Sequence, residues 1–357
     1  MSKPHIWLRA ETKPQEQRTP LTPAGAGSLL EAGLNVTVED CPQRIFPIDG
    51  YRSVSCEIAQ PGTWIGAPRD AFILGLKELP DDTFPLAHRH IYFAHVYKDQ
   101  AGADETLRRF VRGGGSLYDL EFLTHKDGRR VAAFGYWAGF CGAALGVMAW
   151  ANKNAGDAKP LGSLESRPSK DRLLEDVSAS LGRTASRPVV MVIGAKGRSG
   201  SGAVEMARSL GLETVEWDLE ETQGGGPFEE INRADIFVNC VLVSRALPPF
   251  VTMESLAREG HRLSVIADVS CDPYGTYNPV PVYDRCTTFE EPCLEIIAGD
   301  NPLHLIAIDH LPSMLPRESS EDFCGQLLPF LATLGNSEQG VWQRAHAVFV
   351  EKIRKLL

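Results

Sequence analysis

The sequence predicts an α/β protein built from two parallel-sheet domains that flank a cleft, the first of them discontinuous. Three observations carry this. Short apolar runs alternate with helical stretches along most of the chain, the pattern of a parallel sheet with helices on both faces. An unbroken apolar run at 189–193 meets a glycine-rich turn, with glycines at 194, 197, 200 and 202. The length of 357 residues accommodates about two domains at roughly 150 residues each.

The elements follow in order. Residues 5–10 read as a strand. Residues 22–32 read as a helix, with Thr22-Pro23 as cap and first position and Gly33 as the stop. Alternating Val36 and Val38 mark a strand at 35–39. The apolar stretches 71–76 and 91–94 are strands that end at Lys77 and His95. Residues 104–111 read as a helix stopped by glycines 113–115, and 117–120 as a strand leading to Glu121. The small-residue stretch 139–154 reads as a long connector helix between domains, or as a plain core helix; 173–181 is a further helix. Strands at 214–217, 236–239, 263–269 and 306–308, with a turn at 224–227, complete the second sheet. Helices at 321–334, kinked at Pro329, and 340–357 return to the first domain. The expected boundaries are 1–135 with 318–357, and 136–317.

Composition narrows the function. The net charge of −10 argues against a nucleic-acid or anionic-membrane surface. No apolar run approaches the roughly twenty residues of a membrane span. The start MSKPHIWLRAE has no signal-peptide core, and Lys355-Leu356-Leu357 only loosely matches a peroxisomal tripeptide, which wants a small residue first, so a cytoplasmic enzyme is expected, with the peroxisome as the lesser alternative. Eight scattered cysteines without a Cys-x-x-Cys pair read as free, buried thiols. His88, His90 and His95 have no carboxylate or thiol cluster to complete a metal site, so no metal is expected.

The glycine turn is the strongest chemical signal. A strand, a glycine turn and a helix start together present backbone N–H groups and a positive helix end to a pyrophosphate. The Gly-x-x-Gly-x-x-Gly spacing is also compatible with a tight turn in any α/β sheet. Asp218 ends the next strand, eighteen residues after Gly200, where a dinucleotide fold holds the adenosine ribose and repels a 2′-phosphate. Both domains are therefore read as Rossmann-like, and the cofactor as NAD. The strand ends at Asn239-Cys240 and Val269-Ser270 should lie over the nicotinamide. In the first domain Arg18, Lys77, His95 and Glu121 stand at the carboxyl edge, where working residues of such sheets gather.

Longer stretches then carry a resemblance. LRAETKP at 8–14, GLKELP at 75–80, FAHVYKDQAG at 93–102, LYDLEFL at 117–123, GRRVAAFGYWAGF at 128–140, WDLEET at 217–222, GGPFEEI at 225–231 and IDHLPSMLPRESS at 308–320 resemble the NAD-dependent, L-lysine-forming saccharopine dehydrogenases. A more distant similarity is to alanine dehydrogenase and the transhydrogenase domains. The resemblance implies oxidation of saccharopine to L-lysine and 2-oxoglutarate, a reversible step of lysine biosynthesis by the aminoadipate route. It implies Lys77 as general base and His95 as acid/base. Arg18, Lys77, Gln100, Arg130, Phe134 and the loop Ser270, Cys271 and Asp272 become substrate contacts. Arg129, Gly197, Arg198, Asp218, Thr222, Leu242, Val269, Ile308, Asp309, His310 and Leu311 become cofactor contacts. Two departures stand out: Leu242 replaces a tyrosine that relatives can carry, and Ser270-Cys271-Asp272 replaces the usual Ser-Ala-Asp.

The residues suit this chemistry. A lysine base must be neutral, so burial or nearby positive charge must lower its ordinary pKa of about 10.4. Glu78 would oppose that if it pointed inward, Lys98 would keep the field positive, and Glu121 would tune both bases. Histidine suits the proton transfers of imine hydrolysis near neutral pH. Arg18 and Arg130 offer planar forks for substrate carboxylates. The alternatives are a solvated Lys77–Glu78 pair, a core histidine and surface arginine ion pairs. At the level of function they are another opine or amino-acid dehydrogenase, or a catalytically silent NAD-binding protein. The chain is expected as a monomer or small homo-oligomer.

Overall fold

A computed structural model describes residues 3–97, 102–243, 245–258 and 260–356. The chain divides into two units, Met1–Ala133 with Pro316–Leu357, and Phe134–Leu315.

The first unit begins with β1 (His5–Leu8), α1 (Pro23–Glu31), β2 (Asn35–Glu39), α2 (Ile48–Ser53) and β3 (Glu57–Ala59). It continues with β4 (Phe72–Leu74), β5 (Arg89–Tyr92), α3 (Ala103–Gly113) and β6 (Ser116–Asp119). The six strands are parallel, in the order β3-β2-β1-β4-β5-β6. Buried Ile6, Leu8, Phe72, Ile73, Leu74 and Ile91 explain the continuous apolar runs: the central strands are covered on both faces. Thr22 caps α1, its hydroxyl accepting from the Gly25 N–H at 3.1 Å. Gly33, at φ +89°, ends the turn that follows.

The second unit opens with α4 (Gly135–Asn154), α5 (Lys170–Leu181), β7 (Val189–Ile193) and α6 (Arg198–Ser209). Next come β8 (Glu213–Trp217), α7 (Leu219–Thr222), β9 (Ile236–Asn239), α8 (Met253–Leu256), β10 (Val265–Asp268), β11 (Leu294–Ile297) and β12 (Leu303–Ile306). The order is β11-β12-β10-β9-β7-β8, parallel except for the antiparallel edge strand β11. The chain then re-enters the first unit through α9 (Pro316–Leu331) and α10 (Gly340–Arg354). Pro329 lies inside α9, two residues before its end, and supplies no N–H to the Gly325 carbonyl.

Several expectations need correction. Of the two readings of 139–154, the core helix is the one seen: α4 begins at Gly135 and packs in the second unit, with residues 139–147 all buried. Its glycines allow backbone approach. A Cβ at Gly139 would lie 1.7 Å from the Ser199 carbonyl oxygen, and one at Gly202 2.0 Å from the Tyr136 oxygen. The last parallel strand is Leu303–Ile306, earlier than 306–308, although Ile308 still bridges Thr287. α2, β3 and β11 escaped the reading because each is short and lacks a full apolar period. All eight cysteines are free, but Cys240, Cys271, Cys286 and Cys293 are only partly buried.

Candidate functional site

In each sheet the strand order reverses beside the first strand of the unit. A ligand crevice forms at the carboxyl edge of such a switch point. In the first unit the switch lies between β1 and β4, flanked by Arg9 to Glu11 on one side and Lys77 on the other.

Lys77 is held by its own peptide. Buried Glu11 accepts from the Leu76 N–H at 2.6 Å and from the Lys77 N–H at 3.0 Å. Buried Arg9, 3.6 Å from Glu11, donates to the Lys77 carbonyl. Gly75 makes room for this clamp, since a Cβ there would lie 2.3 Å from Arg9 Nε. Sequence reading missed Arg9 and Glu11, although both sit in the LRAETKP stretch. Burial lowers the Lys77 pKa, and the Arg18 guanidinium and Lys13 push it the same way; Glu16 and Glu78 oppose them.

Arg18 is buried, and its fork is taken by Glu16, with Nε at 2.8 Å and Nη2 at 2.6 Å from the two carboxylate oxygens. Glu16 thus occupies one edge of the fork, and the guanidinium also contributes positive charge near Lys77.

His95 adopts φ +53°, a left-handed conformation that costs roughly 1–2 kcal/mol for an L-residue. Its Nδ1 lies 2.5 Å from Glu78 Oε1, and Lys13 Nζ lies 3.7 Å from the other Glu78 oxygen. Glu78 therefore pairs with His95 rather than forming a solvated pair with Lys77. The bond to Glu78 raises the His95 pKa against burial and Lys77, and Glu121 adds to the rise. Burial pushes the Glu78 carboxyl up, but the bond from His95 and neighbouring positive charge bring it to about 2. The sign follows directly. The pair is present above the Glu78 value of about 2 and is lost as pH rises through the raised His95 value. Glu78→Gln is expected to move His95 titration to lower pH, read from its ring proton resonances. An unmoved titration would exclude Glu78 as the cause. Beneath this edge, buried Asp119 accepts from the Glu121 N–H at 2.9 Å, and burial raises its pKa to about 6.

The other histidines take structural places. His88 contacts the Ala67 carbonyl oxygen at 3.0 Å. His90 is enclosed by Trp64, Tyr92 and Phe110, and burial lowers its pKa well below the ordinary value. A cavity of about 430 Å³ lies beyond the Arg9–Glu11 clamp, lined by Trp64, Leu79, Phe84 and Arg109 among others; Lys77 and His95 do not line it.

In the second unit the switch lies between β7 and β9, so the glycine turn and Cys240 flank it. Gly194 has φ +86°, and a Cβ at Gly200 would meet the Gly194 oxygen at 2.0 Å. The helix starts immediately after the turn, at Arg198. Gly197 caps it without a side-chain hydrogen bond, so the helix N-terminus carries no capping oxygen of its own. Asp218 reaches back to this turn: Oδ2 accepts from the Lys196 N–H at 2.8 Å, and Oδ1 from the Leu219 N–H at 2.9 Å.

Buried Asp268 organises the ends of β9 and β10. It accepts from Asn239 at 2.9 Å, from the Ser270 hydroxyl at 2.6 Å and from the Tyr283 hydroxyl at 2.7 Å. Sequence reading placed the strand ends here but missed Asp268 as their hub.

Residues 7–141 match the family described as alanine dehydrogenase/PNT, N-terminal domain, and residues 227–352 match alanine dehydrogenase/PNT, C-terminal domain. The saccharopine dehydrogenase (NAD(+), L-lysine-forming) of Emericella nidulans is 48% identical, with 100% of this chain and 99% of that protein aligned. The chain belongs to the saccharopine dehydrogenase family. The Yarrowia lipolytica saccharopine dehydrogenase is 46% identical over 98% of each chain. A solved L-alanine dehydrogenase shares the fold, with a TM-score of 0.66 at 19% identity, covering 97% of this chain and 93% of that one.

In this saccharopine dehydrogenase family member the remaining expected contacts differ in exposure and partners. Gly197, Arg198 and Arg130 are exposed, and Phe134, Val269, Ser270, Cys271 and Asp272 are partly so. Arg129 is exposed and paired with Asp127 at 2.7 Å. Buried Thr222 gives its hydroxyl to the Asp218 carbonyl at 2.8 Å, and Leu242 is largely exposed. Ile308 and Leu311 pack in the core beside α4, which leaves Asp309 and His310 as the accessible side chains of that run. The His310 ring stacks on Phe289 at 4.7 Å. Gln100 and Lys98 lie outside the described residues.

Proposed function

We propose that this chain catalyses the NAD-dependent, reversible conversion of saccharopine to L-lysine and 2-oxoglutarate. The observation that carries the reading is an opposed pair of bases on one sheet edge. Lys77 is drawn toward its neutral form by burial and Arg18, while His95 is drawn toward its charged form by Glu78. Relatives named for this reaction, aligned over the full length, support it.

The residues of the second unit fit a dinucleotide. The Gly194–Gly200 turn leaves no room for a Cβ at Gly200, and the uncapped start of α6 offers N–H groups to a pyrophosphate. Asp218 suits the ribose. When bound, NAD supplies the hydride acceptor. Neutral Lys77 takes the proton of the secondary amine, which leaves a lone pair able to form the imine as hydride departs. His95 then moves protons as water adds to the imine carbon and the carbon–nitrogen bond breaks. Its bond to Glu78 fixes which ring nitrogen faces away and is left for substrate and water.

The deciding assay follows NADH absorbance with L-lysine and 2-oxoglutarate together, and with each omitted. Consumption that requires both is expected. Folded protein that binds NADH yet consumes none would move the reading to another amine or keto acid. Asp218→Ala should weaken NADH binding about tenfold or more and narrow its preference over NADPH, for loss of the ribose partner and of the repulsive charge. An unchanged ratio of the two affinities would remove Asp218 from the ribose site.

A further inference from the structure

Two thiols outside the proposed acid–base pair meet at the carboxyl edge of the second unit. Cys271 Sγ lies 3.3 Å from Cys286 Sγ, fifteen positions along the chain, and both are free. Cys271 opens the loop after β10 with φ +47°, a strained conformation for a cysteine that its surroundings must hold. Ser270 before it is tied to Asp268 and Asn239. Cys271 Sγ itself donates to the Ala307 carbonyl at 3.2 Å. Cys286 is anchored to the same residue through its neighbour: the Thr287 N–H donates to the Ala307 oxygen at 2.7 Å, and the Thr287 hydroxyl accepts from the Ala307 N–H at 2.9 Å. Ala307 immediately precedes the Ile308 to Leu311 run. A disulfide has a sulfur–sulfur bond of about 2.05 Å, so closure asks for a relative shift of only about 1.2 Å.

We propose that Cys271 and Cys286 form a reversible disulfide, a redox-modification site that clamps the segment between them and weakens dinucleotide binding. The effect on binding rests on the reading that this edge holds NAD. A low-molecular-weight disulfide is the oxidant. One cysteine thiolate displaces a small thiol to give a mixed disulfide. The second thiolate then attacks the protein sulfur, the Cys271–Cys286 bond forms, and the second small thiol leaves. The protein loses two protons and two electrons, and the oxidant carries them away as two thiols. Closure removes the S–H donor from the Ala307 carbonyl and pulls on the strained Cys271 backbone, beside the expected cofactor run. Burial and the adjacent Cys286 sulfur hold Cys271 protonated, so exchange should quicken as pH rises.

The test uses the full chain. Reduced protein is first titrated with NADH by fluorescence, which establishes dinucleotide binding independently. It is then treated with oxidised glutathione at mildly alkaline pH and mapped by non-reducing peptide mass spectrometry. A peptide crosslinked between 271 and 286, reversed by dithiothreitol and accompanied by a several-fold higher NADH Kd, is expected. Cys271→Ala must fail to crosslink, and Cys286→Ser must keep its reduced Kd through oxidation. Mixed disulfides or other pairings without this crosslink overturn the thiol pair. Crosslinking with unchanged Kd overturns its coupling to the cofactor. Failure of the reduced protein to bind NADH would count against the dinucleotide reading itself, while the peptide map still decides the pair.

Discussion

Lys77→Met is expected to lower turnover by about 10²–10⁴-fold, the range for loss of a positioned general base, with NADH affinity unchanged. Methionine keeps the length and apolar packing of the side chain and removes the nitrogen. The backbone clamp of Glu11 and Arg9 acts on the Lys77 peptide rather than its side chain, so the segment should stay in place. The decisive companion is the pH profile. In the oxidative direction wild-type rate should rise with pH as Lys77 deprotonates, at a pH below that of an ordinary lysine, because burial and Arg18 destabilise the ammonium. That limb should vanish in Lys77→Met. Activity within a few-fold of wild type, or a retained limb, would assign the base to another group. An added primary amine that restores part of the rate would separate loss of a proton acceptor from loss of structure.

Gly200→Ala is expected to destabilise the second unit by about 1–3 kcal/mol and to abolish tight NADH binding. The added Cβ would lie 2.0 Å from the Gly194 oxygen and 2.6 Å from the Ala195 Cα. Both are backbone atoms, so no side-chain rotation relieves the clash. Either α6 moves away from β7 or the turn opens, and either change separates the N–H groups that would meet a pyrophosphate. Thermal unfolding should fall by about 2–4 °C per kcal/mol lost. Gly224→Ala is the control, because a Cβ there meets nothing within 4 Å; it should change stability by no more than about 0.5 kcal/mol. Equal behaviour of the two variants would show that close approach at Gly200 is not what the turn requires.

Much of the architecture was legible in the chain because it rests on local regularities. An apolar run such as 189–193 can be satisfied only by cover on both faces, which implies a parallel sheet with helices on either side. Thr22-Pro23 and Gly33 delimit a helix through backbone chemistry that needs no tertiary partner. The glycines after β7 mark a tight strand-to-helix turn for the same reason. Lys77, His95 and Asp218 could be selected as strand-end residues because strand ends are visible as the ends of apolar runs.

What surrounds those residues was decided by tertiary structure alone. Glu11 reaches Lys77 across sixty-six positions, and Glu78 reaches His95 across seventeen. Such pairings depend on which strands are neighbours, and the order β3-β2-β1-β4-β5-β6 has no counterpart in hydrophobic periodicity. The partner in turn decides the role. Arg18, read as a substrate fork, has one edge engaged by Glu16, and Glu78, which does oppose the lowering of Lys77, also bonds His95. The left-handed backbone at His95 and Cys271 belongs to this class too, since no side-chain type announces it. Periodicity records which face of an element is buried. The energy of a charge or a thiol is set by the few atoms nearest to it, and only the folded chain brings those atoms together.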